Sequence, residues 1–277
     1  GQSTYSIPLA VPVGGGNMQP SLSISYSSSA GNGTMGTGWG VSGLSAVSRC
    51  HKTQYNDGAN LAPTYTNEDV FCLDGLRLVV VSGTYGSNGA EYRTESDIFA
   101  RITSIGSGPF NGPEYFKVEY KSGQIAYFGD KNNPNALETN AGIFHLSQVE
   151  DRSGSGNVRR YTYIKNDISG EHYLSSIDYP GGGVSFSYFS GNRDDYHGAF
   201  RNGRYVANNK LLQSITSLSE GNTYRTYNFQ YEKSPVTGNY RLTESQECGS
   251  DASCLKPTTF RWYGTNKFED VALRKIY

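Results

Sequence analysis

The side chains able to do chemistry are thinly spread. Gly31-Asn32-Gly33-Thr34-Met35-Gly36 fits the G-x-G-x-x-G pattern that cradles a pyrophosphate. That pattern works only where a helix opens and offers its N-terminal amides. The next residues, Thr37-Gly38-Trp39-Gly40, are a poor helix opener, so a dinucleotide site is not expected. Ser42, in Gly40-Val41-Ser42-Gly43, misses G-x-S-x-G by one position, and a serine nucleophile also needs a base and an oxyanion donor. No two of His51, His145, His172 and His197 stand at metal-ligand spacing, and H-E-x-x-H is absent. His145 follows Ile143 and Phe144 in an apolar strand pattern, which reads as a core or sheet-surface residue rather than a base. His51 adjoins Cys50 without a C-x-x-C motif, so a zinc site is not expected either.

Acidic turns are the next place to look for a cation. Asp130-Lys131-Asn132-Asn133-Pro134-Asn135 begins like a calcium loop but lacks the later glycine and glutamate that an EF-hand needs. Asp194 and Asp195 are adjacent, and neighbours on a strand point to opposite faces. Ordinary turn chemistry explains both segments. Tyr161, Tyr163, Tyr173, Tyr179 and Tyr188 fall in neighbouring predicted strands and would suit a sugar platform. Cross-strand aromatic pairing explains them without a ligand. The residues therefore assign no catalytic, cofactor-binding or metal-binding side chain, and no cofactor is expected.

Two structural assignments remain. Cys50, Cys72, Cys248 and Cys254 permit two disulfides in three connectivities. Local pairing, Cys50 with Cys72 and Cys248 with Cys254, is expected, the first worth roughly 3 kcal/mol on the chain-entropy argument. Four buried free thiols are the competing arrangement, because free cysteine is often core. Trp39, between Gly38 and Gly40, reads as a packing anchor, with backbone passing close around the indole where neighbours lack side chains.

The elements that must carry these residues are strands. Tyr5, Ile7, Leu9, Val11 and Val13 alternate onto one face, with Pro8 and Pro12 on the other. Two prolines exclude a central ladder, so this is an edge or partly paired strand. Leu22, Ile24 and Tyr26 alternate with serines, the pattern of a strand with one wet face. A glycine-rich stretch, Gly31 to Gly43, precedes a strand at Leu44–Arg49. Hairpins come next: Val70–Val81 turning at Asp74-Gly75; Phe116–Tyr120 and Gln124–Phe128 about Lys121-Ser122-Gly123; Phe144–Glu150 and Val158–Ile164 about 151–157. Leu174–Tyr179 and Val184–Phe189 flank Pro180–Gly183, and Leu211–Leu218 and Tyr224–Tyr231 flank Ser219–Asn222. Arg241–Gln246 and Thr258–Trp262 lie either side of the Cys248–Cys254 loop. Asp194–Asn209 is read as a long loop or short helix. No segment holds a helical period over about 11 residues. The fold class is all-β, with serial antiparallel hairpins making a large curved sheet or partial β shell and little helix.

Composition agrees. The chain has 34 Gly, 22 Tyr and 12 Phe among 277 residues, a mixture suited to turns and half-buried pleated surfaces. Lys plus Arg is 24 and Asp plus Glu is 25, scattered without blocks, which argues against a nucleic-acid partner. No apolar run approaches the ~20 residues of a membrane helix. The chain starts with Gly rather than Met, so either a leader has been removed or a longer chain has been excised.

Several long motifs resemble a known family. They are Tyr5-Ser6-Ile7-Pro8-Leu9, Gln19-Pro20-Ser21-Leu22-Ser23-Ile24-Ser25-Tyr26 and Gly36-Thr37-Gly38-Trp39-Gly40-Val41-Ser42-Gly43-Leu44-Ser45. Ser48-Arg49-Cys50, Val70-Phe71-Cys72-Leu73-Asp74-Gly75-Leu76-Arg77-Leu78, Glu91-Tyr92-Arg93-Thr94-Glu95 and Asp151-Arg152-Ser153-Gly154 continue the likeness. Glu247-Cys248-Gly249 and Cys254-Leu255-Lys256-Pro257-Thr258-Thr259-Phe260 close it. The chain resembles the N-terminal domain of the Salmonella virulence plasmid protein SpvB, shared with the B components of insecticidal toxin complexes and with RHS (YD-repeat) proteins. The likeness implies one β domain over 1–262, with 263–277 a linker toward a following domain. It implies a structural shell or scaffold segment of a secreted or cell-surface toxin, helping to enclose or present a toxic polypeptide, and no enzyme activity of its own. The implied partners are other domains of the same polypeptide (propeller, RHS repeats, toxic C-terminal region) or toxin-complex subunits. A stand-alone adhesin or glycan-binding module is the alternative; an ADP-ribosyltransferase is disfavoured, that activity in SpvB belonging to a separate C-terminal domain.

Overall fold

The computed structural model describes residues 1–152, 156–195, 198–201 and 203–262. His197 and the expected linker at 263–277 lie outside the described residues. The first unit holds β1 (Thr4–Pro8), β2 (Ser23–Ser27), the short hairpin of β3 (Asn32–Gly33) and β4 (Gly36–Thr37), and β5 (Trp39–Ser42). Strands β1, β2 and β5 form an antiparallel three-stranded sheet with β2 in the centre. The prolines confine β1 to its edge and end its ladder at Pro8. The single apolar face expected from Tyr5 to Val13 therefore breaks: Tyr5 and Val13 are exposed, whereas Leu9 is buried. No helix succeeds the glycine pattern at Gly31–Gly36, which folds as the β3–β4 hairpin.

The second unit runs through β6 (Ala46–Cys50), the four-residue helix α1 (Gln54–Asp57), β7 (Val70–Leu73), β8 (Leu76–Ser82), β9 (Glu91–Thr94) and β10 (Ala100–Ile105). It continues with β11 (Tyr115–Tyr120), β12 (Ile125–Gly129), β13 (Leu137–Glu138) and β14 (Ile143–Glu150). The β7–β8 turn is carried by Asp74 and Gly75, both with positive φ (49° and 84°), as a tight hairpin requires. Strands β6 to β12 pair in sequence order, and β14 pairs both β6 and β12. The sheet thus closes into an eight-stranded barrel. β14 manages this by division: Ile143–His145 pair β6, and Leu146, Gln148, Val149 and Glu150 pair β12. The register shift lies at Ser147, whose hydroxyl donates to the Tyr127 carbonyl at 2.9 Å. Bulges of this kind bend and twist a strand.

Eight strands leave room only for side chains. Val47, Leu73, Leu78, Tyr92, Ile102, Phe116, Val118, Phe128 and Phe144 are buried, each on the inward register of its strand. Phe116 meets Phe71 and Phe144 at ring distances of 5.1 Å and 5.1 Å, edge-on in both cases, a favoured aromatic geometry. The barrel is a packed core rather than a container.

The third unit extends the same sheet outward from β14. Its strands are β15 (Val158–Asn166), β16 (Glu171–Tyr179), β17 (Gly182–Tyr188), the hairpin β18 (Ala199–Arg201) with β19 (Arg204–Val206), β20 (Leu212–Ser219), β21 (Asn222–Lys233), β22 (Tyr240–Gly249) and β23 (Thr258–Thr259). Excepting β18 and β19, which pair only with each other, they follow β14 in order and complete a 16-stranded sheet. The stretch Asp194–Asn209, read from sequence as loop or helix, contains the β18–β19 hairpin.

One face of this extension is apolar: Tyr161, Ile177, Val184, Phe186, Ile215, Tyr227, Phe229 and Leu242 are buried. The N-terminal unit covers it. The Ala10 amide donates to the Tyr227 hydroxyl at 2.7 Å, and the Tyr179 hydroxyl donates to the Pro12 carbonyl at 2.9 Å. Arg159 donates to the carbonyls of Met18 and Gln19 at 3.1 and 3.0 Å. Barrel interior, extension and N-terminal unit share one continuous hydrophobic core.

Candidate functional site

Polar side chains gather in three places. The first is the uncovered face of the extension. Period-two alternation puts the large apolar residues of each strand under the N-terminal unit and its small polar residues outside. Register then lines those polar residues up. Thr162 stands opposite Ser176, Ser176 opposite Ser185, Ser185 opposite Thr216, and Thr216 opposite Thr226. A second row holds Ser187, Ser214, Asn228 and Gln246. The Thr216 and Thr226 hydroxyls are 3.4 Å apart. This band crosses six strands with hydroxyls and amides and without a charge in either row. Charges stand at its margin, with Arg160 opposite Asp178.

The second place is a pair of buried arginine–aspartate ties. Arg49 and Asp69 meet at 2.9 Å; Arg49 also donates to the Thr66 carbonyl at 2.6 Å, and Asp69 accepts from the Thr64 and Tyr65 amides. They tie the 51–69 segment to the barrel beside the Cys50–Cys72 disulfide. Arg193 and Asp195 meet at 2.6 Å, and Arg193 reaches the Gly33 carbonyl and the Asn32 side chain, each at 2.6 Å. Asp195 also accepts from the Tyr240 amide at 2.7 Å. Burial acts to raise its pKa, but the bonds from Arg193, Tyr240 and Asn32 outweigh it and hold the carboxyl at about 2. Asp194, pointing the other way, is exposed and paired with Lys233.

The third place carries no signal in the sequence. His145 on β14 and His172 on β16 share no spacing motif, yet their rings stack 4.3 Å apart at an interplanar angle of 12°. Glu138 on β13 completes the group, its Oε2 lying 2.8 Å from His145 Nε2 and 3.8 Å from His172 Nδ1. His145 is a half-buried residue of β14, as its strand pattern reads; its neighbourhood with His172 comes from sheet register, which joins residues distant in sequence. Burial and the neighbouring His145 push the His172 pKa down to about 4. Tyr163 stacks on His172 at 5.0 Å.

The other sequence candidates resolve into structure. Cys50 is bonded to Cys72 and Cys248 to Cys254. Ser42 lies on β5 with its hydroxyl bonded to that of Ser25. Asp130 accepts from the Asn133 amide at 3.1 Å, while Asn133 and Asn135 donate to the carbonyls of Tyr161 and Tyr163, tethering this loop to β15. Tyr161, Tyr163, Tyr173 and Tyr179 are buried and Tyr188 half-buried, so they form core rather than a sugar platform. Trp39 is buried against Tyr5, Tyr26 and Phe260, the last at 4.5 Å. The expectation that both flanking glycines yield room to the indole is corrected. A side chain on Gly38, at φ 79°, would strike the Tyr26 ring, and Gly40 faces open space.

A family model, SpvB (Salmonella virulence plasmid 65kDa B protein), matches residues 1–178. The chain belongs to the SpvB family. The match ends near the end of β16, but the fold likeness continues further. The SpvB N-terminal domain of Salmonella typhimurium strain LT2 superposes with a TM-score of 0.68 at 17% identity, covering 88% of this chain and 98% of that one. The TcdB2–TccC3–Cdc42 structure gives 0.73 at 17% identity, covering 93% of this chain and 16% of that one. The Photorhabdus luminescens Tc holotoxin pore gives 0.72 at 17%, covering 92% and 15%. The SpvB-type fold here thus corresponds to a small part of those toxin chains. No curated protein matches the sequence. No helix among the described residues is long and apolar enough to cross a membrane.

Proposed function

We propose that this chain is a wall segment of a protein shell in a secreted bacterial toxin of the SpvB or toxin-complex type, and that it is a structural element rather than an enzyme. The carrying observation is the uncovered face of the extension. A sheet that encloses a polypeptide without gripping it needs a surface that is wetted, uncharged and free of large apolar side chains. The rows running from Thr162 to Thr226 and from Ser187 to Gln246 meet that description. The packed barrel at one end gives the wall a rigid post, and the N-terminal sheet seals its apolar back. The partners on this reading are further domains of the same polypeptide, or toxin-complex subunits, that complete the enclosure. Two disulfides suit the oxidising surroundings of an exported protein.

The test places single cysteines at Ser185 and Thr216 and labels them with a bulky maleimide. In the isolated 277-residue chain both react quickly. In the polypeptide or complex that carries the chain, the enclosed face is protected and labelling slows by at least about tenfold. Equal labelling in both states overturns the shell reading. Binding of the isolated chain to a glycan array would support an adhesin instead, and cleavage of NAD by it would revive an enzyme.

A further inference from the structure

We propose that Glu138, His145 and His172 form a binding site for one zinc-class divalent metal ion, which clamps the barrel to the extension. The three residues lie on β13, β14 and β16, at the junction of the second and third units. One ligand atom from each lies within 4.8 Å of the other two. Binding draws these atoms in to about 2.0–2.2 Å from one ion and turns the imidazoles out of their stack, because two nearly parallel ring planes cannot both contain the same ion. Two imidazoles and one carboxylate are a ligand set that zinc accepts, with a fourth position left for water.

The surroundings are arranged for ligation. His172 Nε2 lies 2.7 Å from the Asn135 carbonyl. A carbonyl oxygen only accepts, so this nitrogen carries a proton. The lone pair of the neutral ring then sits on Nδ1, the atom turned toward Glu138. Metal-bound histidines usually donate their other N–H to a carbonyl or carboxylate in this way, fixing tautomer and ring orientation. The Nδ1 lone pair stands 3.8 Å from Glu138 Oε2, the same oxygen that accepts from His145 Nε2, so the three ligand atoms are neighbours. Asn135 is itself fixed, since its side-chain amide donates to the Tyr163 carbonyl at 3.1 Å. The two imidazoles and the Tyr163 ring stack nearly parallel, and ligation opens that stack while the Asn135 bond keeps the His172 tautomer. Glu138 and His172 also line a cleft shared with Asn32, Thr34, Tyr173 and Asn208, which gives the ion a way in. On binding, His145 Nε2 exchanges its hydrogen bond with Glu138 for the metal, the proton moving to Nδ1 or to solvent.

The experiment uses the 277-residue chain stripped with a chelator and titrated with Zn2+, and separately with Co2+. One equivalent of zinc is expected per chain. The thermal midpoint should rise by roughly 5–10 °C at free zinc 100-fold above its dissociation constant. Co2+ should give visible bands of four-coordinate intensity. Glu138→Gln and His172→Asn should each lose stoichiometric binding and the thermal shift, while His51→Asn, at an exposed histidine, should keep both. All four cysteines are in disulfides, so no thiol competes for the ion. If either variant fails to fold, cobalt spectra of His145→Asn stand in its place. A wild-type chain that takes up no zinc at equal stoichiometry, or ligand variants that bind as well as wild type, overturns the proposal. Neither result bears on the shell reading, which rests on the opposite character of a different surface.

Discussion

Residues 46–150 and residues 158–259 are built from the same material, antiparallel hairpins of period-two sequence, yet the first set closes and the second runs on. The difference lies in what each has to cover its apolar face. The barrel covers its own: Phe71, Phe116, Phe128 and Phe144 meet at the axis, and closure removes the sheet edges. The extension borrows its cover from the N-terminal unit, through Leu9, Met18, Leu22, Ile24 and Met35. A closed barrel spends both faces of its strands, inside as core and outside as surface. An open extension with a borrowed lid keeps one whole face free, and that face is the one rich in hydroxyls. β14 is where the two designs meet, pairing β6 and β12 for the barrel and β15 for the extension.

The strongest way to break this comparison is at the barrel axis. Phe116 is fully buried and touches three aromatic rings, Phe71, Tyr92 and Phe144. Phe116→Ala should cost about 3–5 kcal/mol, the range for a phenylalanine removed from a rigid core. Urea unfolding followed by tyrosine fluorescence measures it. A loss below about 1 kcal/mol would mean the barrel interior collapses freely, and the rigid post assigned to this unit would be gone.

The local hairpins are legible in the sequence because their turns announce themselves. Asp74-Gly75 and Glu220-Gly221 both adopt positive φ angles, which Asp and Gly favour and which Gly221 announces for its turn. Strands β9 and β10 are not legible: Glu91–Thr94 is short and half charged, and its link to Ala100 holds no glycine or proline. Barrel closure is also hidden, since alternation gives the faces of a strand and says nothing of which distant strand it will meet. The same blindness conceals the Glu138–His145–His172 group. Spacing motifs for metals are strongest where the chain between ligands is short and regular, and here the ligands are assembled by register across strands.

The next test concerns how each unit is tied at its margin. Asp195→Asn keeps the shape but removes the charge facing Arg193, and should cost about 1.5–3 kcal/mol near neutral pH. The acid dependence comes from linkage. The Asp195 carboxyl is held at about 2, below its ordinary value of 3.8. Its contribution is therefore complete above about pH 4 and is lost as pH falls through 2. Asp69, whose pKa is also lowered, adds to the same window. The stability lost between pH 7 and pH 2.5 should be smaller in Asp195→Asn than in wild type. An equal loss in both would show that Arg193–Asp195 is not an ionic tie.

The smallest effects belong to the free face, and their smallness is itself diagnostic. Single substitutions of Ser185 or Thr216 by aspartate should change stability by no more than about 1 kcal/mol, because both residues are half-buried on the uncovered face rather than in the core. The two residues stand directly opposite each other across β17 and β20, so the double aspartate variant places like charges on one cross-strand pair. It should be less stable than the sum of the singles by about 0.2–1 kcal/mol. Salt should erase most of that excess, since exposed charges are screened. Ser185→Lys with Thr216→Asp should reverse its sign. A salt-independent coupling would mean the pair is buried, and singles that cost several kcal/mol would mean this face is core. In either case the contrast between a closed barrel and a wall with a wetted side would fail at the centre of that side.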